Sequence, residues 1–425
     1  MSLESLPDDI LRDIMLYVDN TTLLLTCVIS HIFHNFSIRN MYSLLSENLR
    51  RTSRLNLKGY NMKQLVQLNK ISFANKNINA GLRHSLILTI NGEIYGCGYN
   101  EFGQLGLGNY SNRNTPILLS NNITQISVGG QHSIILTDNK QIYSFGSNLS
   151  GQLGIGDNEY KNIPTLIQNH NNIIQVAAGG SHSLMLTNNG QIYTFGNNDY
   201  GQLGLKDNRS RNIPTLIPNL NNIAQLSAGG YHSIILTSNG EIYVFGRNSY
   251  GQLGLDDYDN KDMPTLVQNL TNVIQISTGF YHSIILRNNR EIYVFGCNND
   301  GQLGLKDIKD RCTPTLLPGF NNVIQMSTGF AHSLFLTNKG QIYTFGCNEC
   351  GQLGLNDNDG RAIPTLVSNL HNITQLSSGG NHSLMLTNNG QIYTCGRGNY
   401  GQLGLGNHNN KNIPTLIPNL NINEL

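Results

Sequence analysis

From about residue 66 onward, apolar and polar positions alternate with the two-residue period of half-buried strands, and the whole pattern recurs, every fifty residues from the second copy onward. His-Ser recurs at His84, His132, His182, His232, His282, His332 and His382. GQLG begins at Gly103, Gly151, Gly201, Gly251, Gly301, Gly351 and Gly401, and a proline follows each copy, from Pro116 and Pro164 to Pro414. Seven units therefore occupy roughly residues 66–420. In SHSLMLTNNGQIYTFG (181–196), two runs rich in Leu, Ile, Tyr and Phe flank Asn-Asn-Gly, a hairpin signal whose two central residues are expected at positive φ. The preceding IIQVAAGG (173–180) suits an innermost strand of small residues. PTLIP (214–218) suits an outermost one, because proline belongs at strand starts and edges. Four short antiparallel strands repeated seven times predict an all-β fold, a seven-bladed β-propeller.

Ahead of the array the period changes. In LPDDILRDIMLYV, Pro7 occupies a first helical position, Asp8 and Asp9 favour the first turn, and Ile10, Leu11, Ile14, Met15 and Val18 share one face. TTLLLTCVIS and HIFHNFSIRNMYSLL continue as apolar helical segments. Three helices this short bury too little surface to be stable without a partner. The organisation expected is a helical module over 1–48, a linker over 49–64 containing the basic run Arg50, Arg51, Arg54 and Lys58, and the propeller over 65–425.

The repeats resemble the regulator of chromosome condensation repeat, Val-x-x-Gly-Gly-x-His-Ser-x-x-Leu, then Tyr-x-Trp-Gly, Gly-Gln-Leu-Gly and a later proline, over about five-sixths of the chain. The chain has no tryptophan, and at that position Phe145, Phe195, Phe245, Phe295 and Phe345 stand in the middle units and Cys97 and Cys395 in the terminal ones. The resemblance implies a ring closed by pairing of chain ends, with Val66–Ile71 beside Pro414–Pro418. The first 48 residues resemble an F-box, the motif that docks a substrate receptor onto the adaptor subunit of cullin-based ubiquitin ligases. Leu6, Pro7, Ile10, Ile14, Val18, Leu23, Ile29, Ser30 and Phe33 stand at its spacing. The resemblance implies adaptor binding through Leu6, Pro7, Ile10, Leu11, Ile14, Leu23 and Phe33. An N-terminal helical cap on the propeller is the alternative. The pairing of an F-box with such repeats, in an Asn-rich chain, is also similar to proteins of giant DNA viruses of protists.

Composition narrows the partners. Charged residues make up 12% of the chain and the net charge is +1, so no strong field draws it to nucleic acid or an anionic membrane. Seven cysteines without framework spacing suggest a reducing compartment, cytoplasmic or nuclear. An acidic N-terminus and short apolar runs give no sign of a secretion signal or membrane span.

Catalytic chemistry is not expected. The seven histidines begin a strand beside a glycine turn, with no carboxylate at a fixed offset, and are read as structural groups satisfying backbone. Cys347-Asn-Glu-Cys350 has half of a zinc site's spacing, yet no second pair exists and both positions vary among repeats, so free loop thiols are expected. GQLG lacks the lysine and helix of a phosphate loop. No cofactor or metal is implied.

Equivalent positions share structural duties, so departures from the repeat point to function. The turn before each His-Ser carries Arg83, Gln131, Ser181, Tyr231, Tyr281, Ala331 and Asn381 in succession, and Phe280 and Phe330 replace a glycine in two copies. These turns and the connections carrying Tyr200, Arg247, Tyr250 and the acidic Asp256, Asp257 and Asp259 are expected on one face. Exposed aromatics with an arginine compose interface hot spots. Tyr231, Phe280, Tyr281, Phe330, Arg247 and Tyr250 are therefore the candidate target-binding residues, with packing of Phe280 and Phe330 between blades as the alternative.

The function these features imply is that of a monomeric, non-catalytic substrate receptor, with adaptor and cullin at the F-box and an unknown protein target on the propeller. The alternative is guanine-nucleotide exchange or scaffolding for a small GTPase, since the best-known propeller of the resembled family acts on a small nuclear GTPase. The uniform period leaves no room for the inserted wedge that exchange requires. Leu425 follows the last unit directly, so no fused ligase domain is expected.

Overall fold

The computed structural model describes residues 77–423 except 171 and 369. The F-box residues, the linker and the closing strand expected at Val66–Ile71 lie outside the described residues. Among the described residues the strands form seven four-stranded antiparallel sheets, each ordered as in the chain. Blade 1 comprises β1 (Ile78–Ala80), β2 (His84–Leu88), β3 (Ile94–Gly98) and β4 (Arg113–Ser120). Blades 2 to 6 follow over Ile123–Leu166, Ile173–Leu216, Ile223–Leu266, Val273–Leu317 and Val323–Leu366. Blade 7 takes all four of its strands from Ile373–Asn421.

Two local expectations are corrected. The hairpin turn of blade 3 places only Gly190 at positive φ, +83°, rather than both central residues. Thr187 explains this: its carbonyl accepts from Gly190 N at 3.0 Å and its hydroxyl accepts from Gln191 N at 2.9 Å, so a single left-handed residue closes the turn. The outermost strand of blade 3 begins at Arg211, three residues ahead of Pro214. Proline is tolerated there because the strand is an edge.

The core lies between blades. Ile234, Leu236 and Val244 of blade 4 pack with Val273, Ile276, Ile285 and Phe295 of blade 5. The same arrangement joins the last blade to the first, through Leu384, Leu386 and Ile392 against Ile78 and Ile87. Each phenylalanine at the tryptophan position is fully buried, and its ring rests on the final glycine of the preceding GQLG, as Phe145 does on Gly106 at φ +67°. Cys395 and Cys97 fill the same site against Gly354 and Gly404, aided by Pro414 and Pro116.

The repeated histidines bind neighbouring blades through a side chain, not through backbone as the sequence suggested. His84 Nε2 lies 2.9 Å from Ser133 Oγ of blade 2, and that hydroxyl donates to Gln104 O of blade 1 at 2.9 Å. Because the hydroxyl's proton is committed, Nε2 carries a proton, and burial of an Nδ1 that has no acceptor to donate to keeps the ring neutral. The link recurs around the ring and closes it where His382 Nε2 meets Ser85 Oγ at 2.9 Å. Nδ1 of all seven is buried without a hydrogen-bond partner. Each ring lies against the first glycine of its own turn, so a Cβ at Gly129 would collide with His132. Burial lowers six of these histidines to about 3 and His382 to about 4.

A second ladder joins the innermost strands. Gln225 Oε1 accepts from Ile276 N at 3.2 Å and its Nε2 donates to Ile276 O at 3.3 Å, and Gln175 and Gln325 make the same pair of bonds to Leu226 and Leu376. Gln275, between blades 5 and 6, departs from this: it is fully buried and its amide has no partner.

Neutral histidines make the fold acid-labile. They titrate near 6.5 when unfolded, so their contribution is complete above that pH and is lost as pH falls toward about 3. At roughly 1 kcal/mol per pH unit for each histidine, the urea midpoint should fall steeply between about pH 6.5 and pH 5. A midpoint level across that interval contradicts the assignment.

Candidate functional site

The tips of the innermost turns and the connections to the outermost strands emerge on one face and are tied by backbone bonds. Arg247 N donates to Tyr231 O at 2.9 Å and Cys297 N to Tyr281 O at 2.9 Å. In blades 1 to 6 an asparagine braces each connection from beneath, a position that Gly398 takes in blade 7. In blade 4, Asn248 Oδ1 accepts from Leu253 N at 2.9 Å while its Nδ2 donates to Asp257 Oδ1 at 2.8 Å, and Asp257 pairs with Lys261 at 2.9 Å. The carboxyl of Asp257 is held below its ordinary range by Lys261, the Asp259 N–H and Asn248, against the opposing effect of burial. Asp257 thus braces the loop. Tyr250 N donates to Gln252 Oε1 at 2.9 Å, which presents the ring on the rim.

The six candidate target-binding residues come together there, joined by Tyr200. Tyr231 meets Tyr200 edge-on at 5.4 Å and Phe280 at 5.3 Å. Tyr281 meets Tyr250 at 5.1 Å, Phe280 at 4.8 Å and Phe330 at 5.7 Å, and Phe280 and Phe330 lie 4.6 Å apart. The Arg247 guanidinium stands over four rings, at 5.0 Å from Tyr200, 5.3 Å from Tyr281, 5.7 Å from Tyr250 and 5.8 Å from Tyr231. Burial raises the Tyr281 phenol above its ordinary range, and the nearby Arg247 only partly offsets this. All seven side chains are partly accessible, and Phe330 is 37% exposed.

Phe280 and Phe330 border the mouth of the central channel and lie on the rim, the first half-buried. The Phe280 ring leans back over blade 4: a Cβ on Gly230 would lie 2.6 Å from it. The next turn's carbonyl also leaves no room for a Cβ there, as at Gly130 and Gly180. The backbone records the insertion. Bonds between successive turns measure 2.9 Å for Gly130 N to Gly179 O and 3.0 Å for Gly180 N to Gly229 O, then 3.2 and 3.1 Å for the donors Gly230 and Phe280, while Phe330 N is shared between Gly379 O and Gly380 O at 3.3 Å each.

A second cluster went unnoticed in the sequence. Arg83 stands 5.0 Å over Tyr400 and 5.7 Å over Tyr99, and Phe102 meets Tyr99 at 5.8 Å and Tyr160 at 5.1 Å. The residue before each GQLG reads Phe102, Ser150, Tyr200, Tyr250, Asp300, Cys350 and Tyr400. Comparing that column across repeats would have exposed two of its members. Cys347 and Cys350 are both free and partly accessible, and burial pushes the Cys347 thiol up. Asp256 and Asp259, the other residues of the acidic tract, lie in the blade 4 connection outside the ring cluster.

The RCC1-like domain family pattern matches residues 50–335 and, in a second alignment, 170–425. Among curated proteins, the RCC1-like G exchanging factor-like protein of Mus musculus is 44% identical over 48 residues, 11% of this chain and 10% of that protein. The ultraviolet-B receptor UVR8 of Arabidopsis thaliana is 45% identical over 40 residues, 9% of each chain. The matched segments thus span about a tenth of these relatives' lengths. Among solved structures, Prp20p of Saccharomyces cerevisiae, studied with its binding properties to Gsp1p and histones, superposes with a TM-score of 0.69 at 26% identity. That match covers 79% of this chain and 88% of Prp20p.

Turn glycines and rim aromatics should respond differently to alanine. A Cβ on Gly130 would press into the carbonyl of Gly180, so Gly130→Ala should cost about 2 kcal/mol. Half-exposed Phe280→Ala should cost about 1 kcal/mol or less. Thermal unfolding of the two variants checks this, and a larger loss for Phe280→Ala would make that ring a structural element.

Proposed function

The chain belongs to the RCC1-like domain family, and from that premise we propose that its propeller is a non-catalytic protein-binding module that engages a GTP-binding protein through the tyrosine-rich rim of blades 3 to 6. The observation that carries this reading is the ring cluster: six rings from four consecutive blades, four of them around the Arg247 guanidinium, with Tyr231 and Tyr281 standing where other blades hold small or polar residues. Aromatic rings with an arginine, partly desolvated on a rigid base, suit a hot spot. The choice of partner class is supported by the family's best-known member and by Prp20p's binding to Gsp1p. It is supported also by the exchange-factor likeness in the name of the mouse relative. The described blades keep the repeat's uniform length, which favours binding over exchange.

Small GTPases immobilised in nucleotide-free and loaded forms should retain the full chain, and Tyr231→Ala with Tyr281→Ala should weaken retention at least about tenfold while leaving the thermal midpoint near that of the wild type. Unchanged retention by the double variant would place the interface elsewhere. Nucleotide release should not accelerate.

Residues 1–48 favour a second reading, in which the propeller presents its bound protein to a ubiquitin ligase. Its support is the F-box-like spacing of Leu6, Pro7, Ile10, Ile14, Val18, Leu23, Ile29, Ser30 and Phe33. On this reading the intact chain recovers adaptor and cullin from lysate and a chain lacking residues 1–45 does not. Failure of both to recover adaptor removes the reading without touching the rim.

A further inference from the structure

Arg247, like its blade 7 counterpart Arg397, is outside the ion pairs that brace most blade connections. Arg211, Arg311 and Arg361 each pair with an aspartate four residues earlier, at 2.7, 2.6 and 2.5 Å. In blade 4 that role belongs to Lys261, which satisfies Asp257. Arg247 donates from Nε to Ser249 Oγ at 2.7 Å, and among the described residues its terminal amino groups meet no carboxylate. Four tyrosine rings surround its guanidinium at 5.0–5.8 Å.

We infer that Arg247 is the seat for a carboxylate of the bound protein, an aspartate or glutamate side chain set among apolar neighbours. This deepens the rim-binding reading and rests on it. A guanidinium offers two parallel N–H donors that match a carboxylate's two oxygens. Here Nε is already committed, so the two terminal amino groups form the fork that faces the partner. The rings crowd the guanidinium, which lowers the entropy lost on pairing, and exclude water from its flanks, which strengthens the pair. They also select the anion. Ring faces are electron-rich, and a single guanidinium neutralises a monoanionic carboxylate, whereas a phosphoryl dianion would leave negative charge against four rings. Phe280 and Phe330, beside Tyr281, supply apolar surface next to the charge. The segment that fits is acidic and apolar in alternation.

The probe is an acetylated, amidated peptide, Leu-Glu-Leu-Glu-Leu, titrated calorimetrically into the full chain, beside a glutamine version and a phosphoserine version. The glutamate peptide should bind at least about tenfold more tightly than either. Arg247→Met should reduce its affinity to the level of the glutamine peptide. Arg83→Met, which removes the same charge from the seam of blades 7 and 1, should leave it unchanged, showing that the effect is local. The inference is overturned by equal affinity for glutamate and glutamine peptides, by tighter binding of the phosphoserine peptide, by equal losses in the two arginine variants, or by no binding to the wild type. Its failure is separable from that of the rim: if Tyr231→Ala with Tyr281→Ala abolishes GTPase retention and Arg247→Met does not, the protein-binding face stands and the carboxylate seat does not.

Discussion

The propeller depends on one repeated bond, from the imidazole of one blade to the serine hydroxyl of the next. Because each serine also donates to a glutamine backbone carbonyl of the histidine's own blade, every link crosses the seam twice. A buried polar contact of this kind is strong when complete and costly when broken. It imposes neutrality on the histidine and a glycine beneath its ring, and it gives GQLG a second duty besides turning the chain. The link between His382 and Ser85, at 2.9 Å, matches five of the six inside the array, the sixth being 3.1 Å, so the described chain ends meet through the contact that joins every other pair of blades.

Once that bond and the core between blades are satisfied, the tips of the turns are free to differ, and they differ most across blades 4 to 6. The departure is not free of consequence. The backbone bonds at the channel mouth lengthen where Phe280 and Phe330 enter, and Gln275 in the same seam lacks the bonds its counterparts make. Local rules broken together in one sector, with the rings left partly in solvent, are the pattern expected where binding rather than packing selects the residues.

Much of this was legible from periodicity. Seven blades, four strands in each and the shared face of turns and connections followed from alternation, His-Ser and GQLG. The rim residues appeared as exceptions to a repeat, which made comparison within one chain informative. What stayed hidden depends on contacts between units. No local pattern tells that His84 reaches Ser133 in place of backbone, because the two are adjacent in space only after the ring closes. The hairpin was misjudged because Thr187, outside the Asn-Asn-Gly signal, bonds both arms of the turn. The cluster around Arg83 escaped because its rings come from blades 1, 2 and 7, distant in sequence until the circle is complete.

The central claim, that the scaffold repeats while the rim of blades 3 to 6 binds, is tested most directly by hydrogen–deuterium exchange of the full chain with and without a retained GTPase. Protection should concentrate in the turns ending at His232, His282 and His332 and in the connections carrying Tyr200 and Tyr250. Protection confined to the hairpin turns of the opposite face, around Gly190 and Gly240, would contradict it.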